Sequence, residues 1–363
     1  MSDAAPAAPA ETIVLTGGTG FLGSVVLERL LVTTEEPIVL LVRAADDAAA
    51  AARLRGLAVA TWGDADVLPS RVTALAADLE LPDLGRTDGA LDALAARTAT
   101  VVHCAASVRF DLSLEDARRV NVGGTRQMVA LAARARELGA PGRLVHVSTA
   151  YVHGRTNVLA REHGPEQAPV HRNTYEQTKL EAEHETRALT DGVAIVRPSI
   201  VVGDAVTGWT SSFNVIYVPL KAAARGLLTV VPGPADAWLD LVPVDQVAEV
   251  VAALVRRPEL DGVFQAVAGE EAPRLQPFAD VVCEVLGIPP AACEPAAAEQ
   301  LGLYAPYADV ASPFELGRAR ELGVRPVPVA ELVPRLLAFA ETAGWGRRPQ
   351  PRAVAWTATP AVG

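Results

Sequence analysis

The sequence predicts an α/β fold: a doubly wound, mostly parallel sheet with a smaller C-terminal lobe. The first observation is that apolar runs alternate with alanine- and leucine-rich segments of helical character between residues 12 and about 202. The second is that these runs are continuously apolar, which is typical of strands covered on both faces and therefore parallel. Right-handed crossovers then wind the sheet in both directions, and such sheets bind ligands at the carboxyl ends of their strands.

Six apolar runs predict the strands of this sheet, at Ile13–Thr16, Ile38–Val42, Val72–Ala76, Val101–Ala105, Leu144–Ser148 and Val193–Val196. Helices are predicted between some of them, at Phe21–Val32, Glu115–Leu138 and Tyr175–Leu189. The regular alternation ends after residue 203, where glycine, proline and aromatic residues become frequent. Later elements are a helix at Val244–Val255, a possible return strand at Gly262–Ala268 and a last helix at Val329–Ala343. Asp245 is interpreted as the N-cap of the first of these helices.

Composition excludes several classes of function. The net charge of −11 argues against nucleic acid or an anionic membrane as the main partner, because both reward clustered lysine and arginine. The three cysteines and six histidines have no metal-binding spacing, and a reduced, cytoplasmic compartment is the simplest reading of the cysteines. The N-terminal residues lack a signal-peptide pattern, and no uncharged apolar run is long enough to span a bilayer.

A glycine-rich turn, TGGTGFLG, runs from Thr16 to Gly23 and joins the first predicted strand to the first predicted helix. Gly17 permits the tight turn, Gly20 lets the backbone approach a pyrophosphate, and Gly23 lets helix and strand pack closely. The helix N-terminus then offers unpaired N–H groups and a partial positive charge to the anion. The turn therefore predicts a dinucleotide site.

The end of the second strand indicates which dinucleotide binds. Arg43 follows this strand, where an NAD enzyme usually carries an acidic residue for the ribose hydroxyls; an arginine favours the 2′-phosphate of NADP. Arg53 stands ten residues later, either near the same phosphate or simply on the surface. Asp46 and Asp47 lie nearby and leave NAD open. Asp78, after the third strand, is expected to accept a hydrogen bond from the adenine amino group or to cap a helix.

The chain is therefore divided into three parts. Residues 1–10 are predicted to form a disordered lead. Residues 11–203 together with about 240–270 are predicted to form an NADP-binding domain, and residues 204–239 with 271–363 a substrate-binding lobe. The aromatic residues Trp209, Phe213 and Tyr217 of that lobe have two interpretations, as core residues or as the wall of an apolar channel.

Tyr175 and Lys179 stand four residues apart in a predicted helix and so share one face of it. A nearby ammonium lowers the pKa of a phenol from its ordinary value near 10, so Tyr175 is expected to exchange a proton near neutral pH. Thr149 lies 26 residues earlier, where the fifth strand ends. Its hydroxyl is expected to hydrogen-bond a substrate carbonyl oxygen while Tyr175 protonates that oxygen.

The ordered set TGGTGFLG, NVGGT (residues 121–125), STAYV (148–152), YEQTK (175–179) and VRPS (196–199) resembles the extended short-chain dehydrogenase/reductase family, which contains the Rossmann fold. The resemblance covers most of residues 11–270. It implies Thr149 as the carbonyl orienter, Tyr175 as the acid and Lys179 as the residue that tunes the tyrosine and binds the nicotinamide ribose, and it implies a more structural role for Asn121. The implied cofactor contacts are Thr16, Gly17, Gly20, Phe21, Leu22, Gly23, Arg43, Arg53, Asp78, Leu79, Ala105, Ala106, Lys179, Pro198, Ser199 and Ile200.

Three further segments narrow the resemblance. HCAASVRFD (103–111), TGW (207–209) and DLVPVD (240–245) are similar to the fatty acyl-CoA reductase and thioester-reductase branch, with weaker support from Tyr304–Phe314. This branch uses NADPH to reduce an acyl thioester, on coenzyme A or a carrier protein, to an aldehyde and often to an alcohol. The chain shows no adenylation or carrier module, so the thioester is expected to come from a separate molecule.

Two other functions stay open. One is another chemistry of the extended family: NADP-dependent reduction of a ketone or aldehyde, or sugar-nucleotide epimerisation or dehydration; Arg43 counts against the epimerase version, which favours NAD. The other is a non-catalytic NADP-binding sensor, against which the set of Thr149, Tyr175 and Lys179 argues. Cys104 is interpreted as a small core residue rather than a nucleophile. The sequence leaves the oligomeric state open.

Overall fold

A computed structural model describes residues 11–356 of the chain. The strands are β1 Thr12–Thr16, β2 Ile38–Val42, β3 Val72–Ala76, β4 Thr98–His103, β5 Arg143–Val147, β6 Val193–Pro198, β7 Ile200–Val202, β8 Val231–Pro232, β9 Leu241–Pro243, β10 Gly262–Ala266 and β11 Cys293–Glu294. Seven of them form one sheet in the order β10-β6-β5-β4-β1-β2-β3, and every pairing in it is parallel. The predicted doubly wound sheet is confirmed, including the returning strand β10.

The helices are α1 Phe21–Thr33, α2 Asp47–Trp62, α3 Asp88–Ala95, α4 Leu114–Ala117, α5 Gly123–Glu137, α6 Thr174–Glu185, α7 Tyr217–Ala224, α8 Val244–Arg256, α9 Leu275–Leu286 and α10 Val329–Thr342. The helix predicted at Glu115–Leu138 is interrupted, because a π-helical turn at Arg118–Val122 joins α4 to α5. None of the helices in the described part of the chain has the length and apolar character that a membrane crossing requires.

The strands are continuously apolar because both faces of the sheet are covered. Neighbouring residues of a strand point to opposite faces. Ile13 and Leu15 of β1 therefore pack into a core with α1, α2 and α8, whereas Val14 packs into a second core with α3 and α5. The sheet positions the candidate site, since β1, β4, β5 and β6 all end at the same edge.

The remaining elements pack beside this edge. Strands β7 and β9 pair in parallel, as do β8 and β11, and α7, α9 and α10 share a third apolar core. The proposed division into two domains stays a prediction, and the predicted disordered lead lies outside the described residues. The prediction that Asp245 caps α8 is wrong. The chain enters the helix from β9 through Pro243, which is the N-cap, and the Asp245 carboxylate accepts a hydrogen bond from the Ala205 amide instead.

Residues 350–356 form a C-terminal strap that crosses back over α1 and α2. The Nε atom of Arg352 lies 2.9 Å from both carboxylate oxygens of Glu28, and its Nη2 atom lies 2.7 Å from Asp204. The ring of Trp356 meets the ring of Trp62 edge-on, with 4.9 Å between centroids. The strap thus joins the glycine-turn helix to the loop that follows β7.

Candidate active site

At two positions of the glycine turn, neighbouring backbone atoms leave no room for a side chain. A Cβ atom on Gly17, whose φ is +70°, would lie 2.6 Å from the amide nitrogen of Ala105, and one on Gly23 would lie 2.1 Å from the carbonyl oxygen of Gly17. Gly20 is different, because it is exposed and caps the N-terminus of α1. The first turn of α1, which begins with Phe21 and Leu22, has no side-chain cap and no acidic residue. This cradle fits an anionic pyrophosphate.

The ends of β1 and β4 are bonded to each other beside the cradle. The Thr16 hydroxyl lies 2.7 Å from Nδ1 of His103 and accepts a hydrogen bond from the Ala105 amide. Ala105 and Ala106 are both half-buried in the segment that follows β4. Burial raises the pKa of the neighbouring Cys104 thiol to about 12, so this cysteine is not an activated nucleophile.

The Arg43 side chain, at the end of β2, is 75% exposed. Arg53 of α2 donates a hydrogen bond to the Arg43 carbonyl oxygen, so the two arginines are neighbours. The two nearby aspartates have other partners: Asp46 caps α2 through the Ala49 amide, and Asp47 accepts hydrogen bonds from Arg86, which lower the pKa of Asp47. The two acidic residues that left NAD open are thus engaged in the fold.

Asp78 and Leu79 follow β3 and are half-buried. One carboxylate oxygen of Asp78 accepts a hydrogen bond from the Glu80 amide at 3.0 Å. The helix-cap alternative for Asp78 is wrong, because the short 3₁₀ turn that follows begins after Leu81. No pattern in the sequence indicated Glu80, whose carboxylate lies 3.8 Å from Arg43 and 2.7 Å from Arg119.

The fold brings Thr149, Tyr175 and Lys179 together. Lys179 is 2% exposed. Its Nζ atom donates a 2.7 Å hydrogen bond to the Val147 carbonyl at the end of β5. The Thr149 hydroxyl lies 3.3 Å from the Pro198 carbonyl and caps the 3₁₀ turn that follows it. It also hydrogen-bonds with the phenol of Tyr175, which remains partly exposed.

The prediction that the ammonium of Lys179 lowers the pKa of Tyr175 is wrong. Burial raises the pKa of Tyr175 to about 12, opposed by its hydrogen bond with Thr149. Burial also lowers the pKa of Lys179 to about 8, opposed by the negative charge of Glu183. The ammonium bonds to a backbone carbonyl, so desolvation dominates for both groups. Tyr175 therefore carries its proton throughout the neutral range.

Asn121 lies below this group in the π-helical turn. Its side-chain oxygen accepts a hydrogen bond from the Ser107 amide at 2.8 Å, and its Nδ2 atom donates to the Thr178 hydroxyl at 3.0 Å. These bonds attach the segment after β4 to the helix that carries Tyr175. The structural role that the resemblance implied for Asn121 agrees with these contacts.

The segment Pro198–Ile200 runs past the site between β6 and β7. The Ser199 hydroxyl donates to Asp240, which also accepts hydrogen bonds from the amides of Ala268 and Gly269. Burial raises the pKa of Asp240 to about 6. Asp240 thus fixes this segment against the end of β10. The only signal for it in the sequence was its place in the DLVPVD motif, to which no role had been attached.

The ring of Phe110 connects Tyr175 to two tyrosines of the C-terminal part of the chain. Phe110 lies 5.7 Å from Tyr175, 5.2 Å from Tyr307 and 5.8 Å from Tyr304 between ring centroids. Tyr307 also meets Tyr151 edge-on at 4.9 Å. Sequence reasoning gave Tyr304 and Tyr307 no role beyond weak support for the resemblance.

An apolar cavity lies beyond these two tyrosines. Its wall includes Ile200, Ile216, Leu220, Phe278, Tyr304 and Tyr307. The channel interpretation of Trp209, Phe213 and Tyr217 is wrong, because none of the three lines this cavity. Trp209 packs on Phe21 of the glycine turn, and the hydroxyl of Tyr217 accepts a hydrogen bond from the Gly203 amide. The wall comes instead from their aliphatic neighbours on α7 and from α9.

The chain is similar to curated fatty acyl-CoA reductases. Fatty acyl-CoA reductase 1 from Homo sapiens is 30% identical over 305 residues, which cover 72% of this chain and 59% of that protein. Fatty acyl-CoA reductase wat from Drosophila melanogaster is 31% identical over 66% of this chain and 53% of that protein. The chain thus spans somewhat more than half the length of these relatives.

Solved structures share the fold over nearly the whole chain. The terminal R domain from the myxalamid PKS-NRPS biosynthetic pathway has a TM-score of 0.78 at 26% identity, covering 94% of this chain and 93% of that domain. A UDP-glucuronic acid 4-epimerase from Bacillus cereus has a TM-score of 0.66 at 16% identity, covering 91% and 99%, and so supports the fold alone.

The family comparison confirms the resemblance predicted from the motifs. The sequence model of the NAD-binding family described as Male sterility protein matches residues 15–251. The match begins at the glycine turn and continues through α6 into α8, so it contains every catalytic candidate. It extends over more than half of the chain, and the chain therefore belongs to this family.

Proposed function

We propose that the chain is an NADPH-dependent reductase of an acyl thioester, which forms an aldehyde; a second reduction would give the alcohol. The names of the human and fly relatives support this substrate class. The observation that carries the proposal is the apolar cavity near Tyr175. Tyr304 is part of the wall of this cavity, and the ring of Phe110 contacts both Tyr304 and Tyr175. A carbonyl at Tyr175 with its apolar chain in this cavity matches an acyl group and does not match a sugar nucleotide.

The cofactor residues divide by the part of the dinucleotide that they fit. The glycine turn and α1 would hold the pyrophosphate, and Arg43 with Arg53 would bind the 2′-phosphate. Asp78 and Leu79 would contact the adenine. Ala105, Ala106, Pro198, Ser199 and Ile200 would line the nicotinamide half. NADPH is favoured over NADH because Arg43 is exposed while Asp46 and Asp47 are held by other partners.

The bound cofactor supplies the hydride for the reduction. Tyr175, protonated because of its raised pKa, donates a hydrogen bond and then a proton to the carbonyl oxygen of the substrate. Thr149 hydrogen-bonds the same oxygen as its negative charge develops. Lys179 places an ammonium beside them and binds the nicotinamide ribose. Reduction to the aldehyde uses one hydride and one proton and releases a thiol; a second hydride and proton give the alcohol.

The partner and compartment are part of the same proposal. The thioester would be carried by coenzyme A or by a carrier protein and would bind at the substrate-binding lobe. A cytoplasmic location is supported by the three cysteines, all of which are unpaired.

The test measures the rate of NADPH oxidation with palmitoyl-CoA as the substrate and compares it with the rate when the corresponding free aldehyde is the substrate. We expect turnover with both substrates, and aldehyde or alcohol as the product. Turnover with the aldehyde but not with the thioester would overturn the proposal in favour of an aldehyde reductase. No turnover with either would favour a binding protein.

A further inference from the structure

Tyr304 and Tyr307 both stand at the cavity on the 3₁₀ segment Pro295–Tyr307, but they are held differently. Tyr307 is 8% exposed, and its hydroxyl oxygen accepts a 2.9 Å hydrogen bond from Asn173, which precedes α6. Its ring also packs edge-on against Tyr151, and the guanidinium of Arg172 lies 5.9 Å from its centroid. Tyr307 is therefore a fixed part of the cavity wall.

Tyr304 is half-buried, and its ring meets Phe110 edge-on at 5.8 Å. Two residues earlier, Gly302 has a φ of +55° and a ψ of −120°, which breaks the regular path of the segment. A ring held by an aromatic contact on a kinked segment turns aside more readily than one fixed by a hydrogen bond and two ring contacts. Tyr304 is thus the more easily displaced of the two tyrosines.

The ring of Phe110 contacts the rings of Tyr175, Tyr304 and Tyr307, with centroid distances of 5.7, 5.8 and 5.2 Å. An acyl chain that enters the cavity along this row of rings has to separate Phe110 from one of the tyrosines. A short acyl group has no such requirement, because it ends before these rings.

We propose that Tyr304 is a specificity-determining residue, which together with Phe110 closes the passage from Tyr175 to the apolar cavity and turns aside for long acyl chains. This inference rests on the proposed reduction of acyl thioesters. The consequence is that the contact between Tyr304 and Phe110 lowers kcat/KM for long acyl chains and leaves kcat/KM for short ones unchanged.

The experiment compares kcat/KM for butyryl-CoA and palmitoyl-CoA in wild type and Tyr304→Ala. Loss of the ring is expected to raise the palmitoyl-to-butyryl ratio about fivefold, which corresponds to about 1 kcal/mol at 25 °C, a usual value for an aromatic pair. The value for butyryl-CoA should change less than about twofold. Tyr304→Phe keeps the ring and should keep the wild-type ratio.

The matched control is Leu303→Ala, because Leu303 is the preceding residue of the same segment and is 56% exposed. Its ratio should equal that of wild type. An unchanged ratio in Tyr304→Ala, or an equal fall for both substrates, would overturn the role of Tyr304 while leaving the proposed function intact. If wild type reduces neither thioester, the proposed function fails and this inference fails with it.

Discussion

The Nζ atom of Lys179 lies 2.7 Å from the carbonyl oxygen of Val147. This bond ties α6 to the end of β5 at a point two residues before Thr149. Tyr175 is one helical turn earlier on the same face, so the bond also sets its position relative to Thr149. One buried side chain thus holds the other two candidate catalytic groups in register.

The burial of Lys179 predicts an alkaline limit to activity. Its pKa is lowered to about 8, so kcat/KM for NADPH, which reports the free enzyme, should fall as the pH rises through about 8. Lys179→Arg should move this alkaline fall in kcat/KM to higher pH. The control is Lys221→Arg, which should leave the fall at the wild-type pH. If kcat/KM falls at the same pH in Lys179→Arg as in wild type, a group other than Lys179 causes the fall.

The lowered pKa of Lys179 also determines how this residue makes the stability of the protein depend on pH. Between pH 8 and the ordinary pKa of 10.5, the unfolded chain holds a proton on Lys179 that the folded chain has lost. The contribution of this group to the free energy of unfolding therefore rises with pH across that range.

Removal of the Tyr175 hydroxyl should abolish the proton transfer and little else. Tyr175→Phe is expected to reduce kcat/KM for the thioester by about 100-fold or more, because a positioned general acid contributes at least that factor. The affinity for NADPH, followed by fluorescence titration, should stay within about twofold of wild type. Substantial remaining turnover would show that another group is the proton donor.

Arg43 predicts the choice of cofactor. Arg43→Asp should weaken the binding of NADPH about 10- to 100-fold, the factor expected for lost charge-assisted hydrogen bonds to a phosphate. The affinity for NADH should change about twofold or less. Arg55→Asp makes the same charge change at an exposed position of α2 and serves as the control. Equal weakening of both cofactors in Arg43→Asp would contradict contact with the 2′-phosphate.

The C-terminal strap should contribute to stability through Arg352. Its side chain is 12% exposed and bonds to Glu28 and Asp204, so Arg352→Met leaves two nearly buried carboxylates without their cation. The free energy of unfolding is expected to fall by about 3 kcal/mol. Arg347→Met, at an exposed position before the strap, is the control for differential scanning calorimetry. A melting temperature lowered equally in both variants would argue against a special role for the strap.

The sheet and the catalytic group were predictable because their signals are local. The apolar runs that form β1 to β6 are continuous, and the glycine turn, Thr149 and the pair Tyr175–Lys179 each occur at the end of a strand or within one helix. The topology of a parallel sheet then brings these groups to one edge.

The acyl side of the site was not predictable in this way. Asn173 and Tyr307 are 134 residues apart, and no local pattern indicates that they meet. The pKa of Tyr175 was also predicted in the wrong direction, because its value depends on burial by Phe110 and other distant residues rather than on the neighbouring lysine alone. Trp209 was open to a channel interpretation because its apolar partner Phe21 lies in another part of the chain.

The most direct test of the central claim counts the thiol released from palmitoyl-CoA against the NADPH oxidised. Reduction of the thioester should release one coenzyme A thiol for each thioester consumed, with one NADPH oxidised per aldehyde formed and two per alcohol. Oxidation of NADPH without release of the thiol, or release of the thiol without oxidation of NADPH, would contradict it.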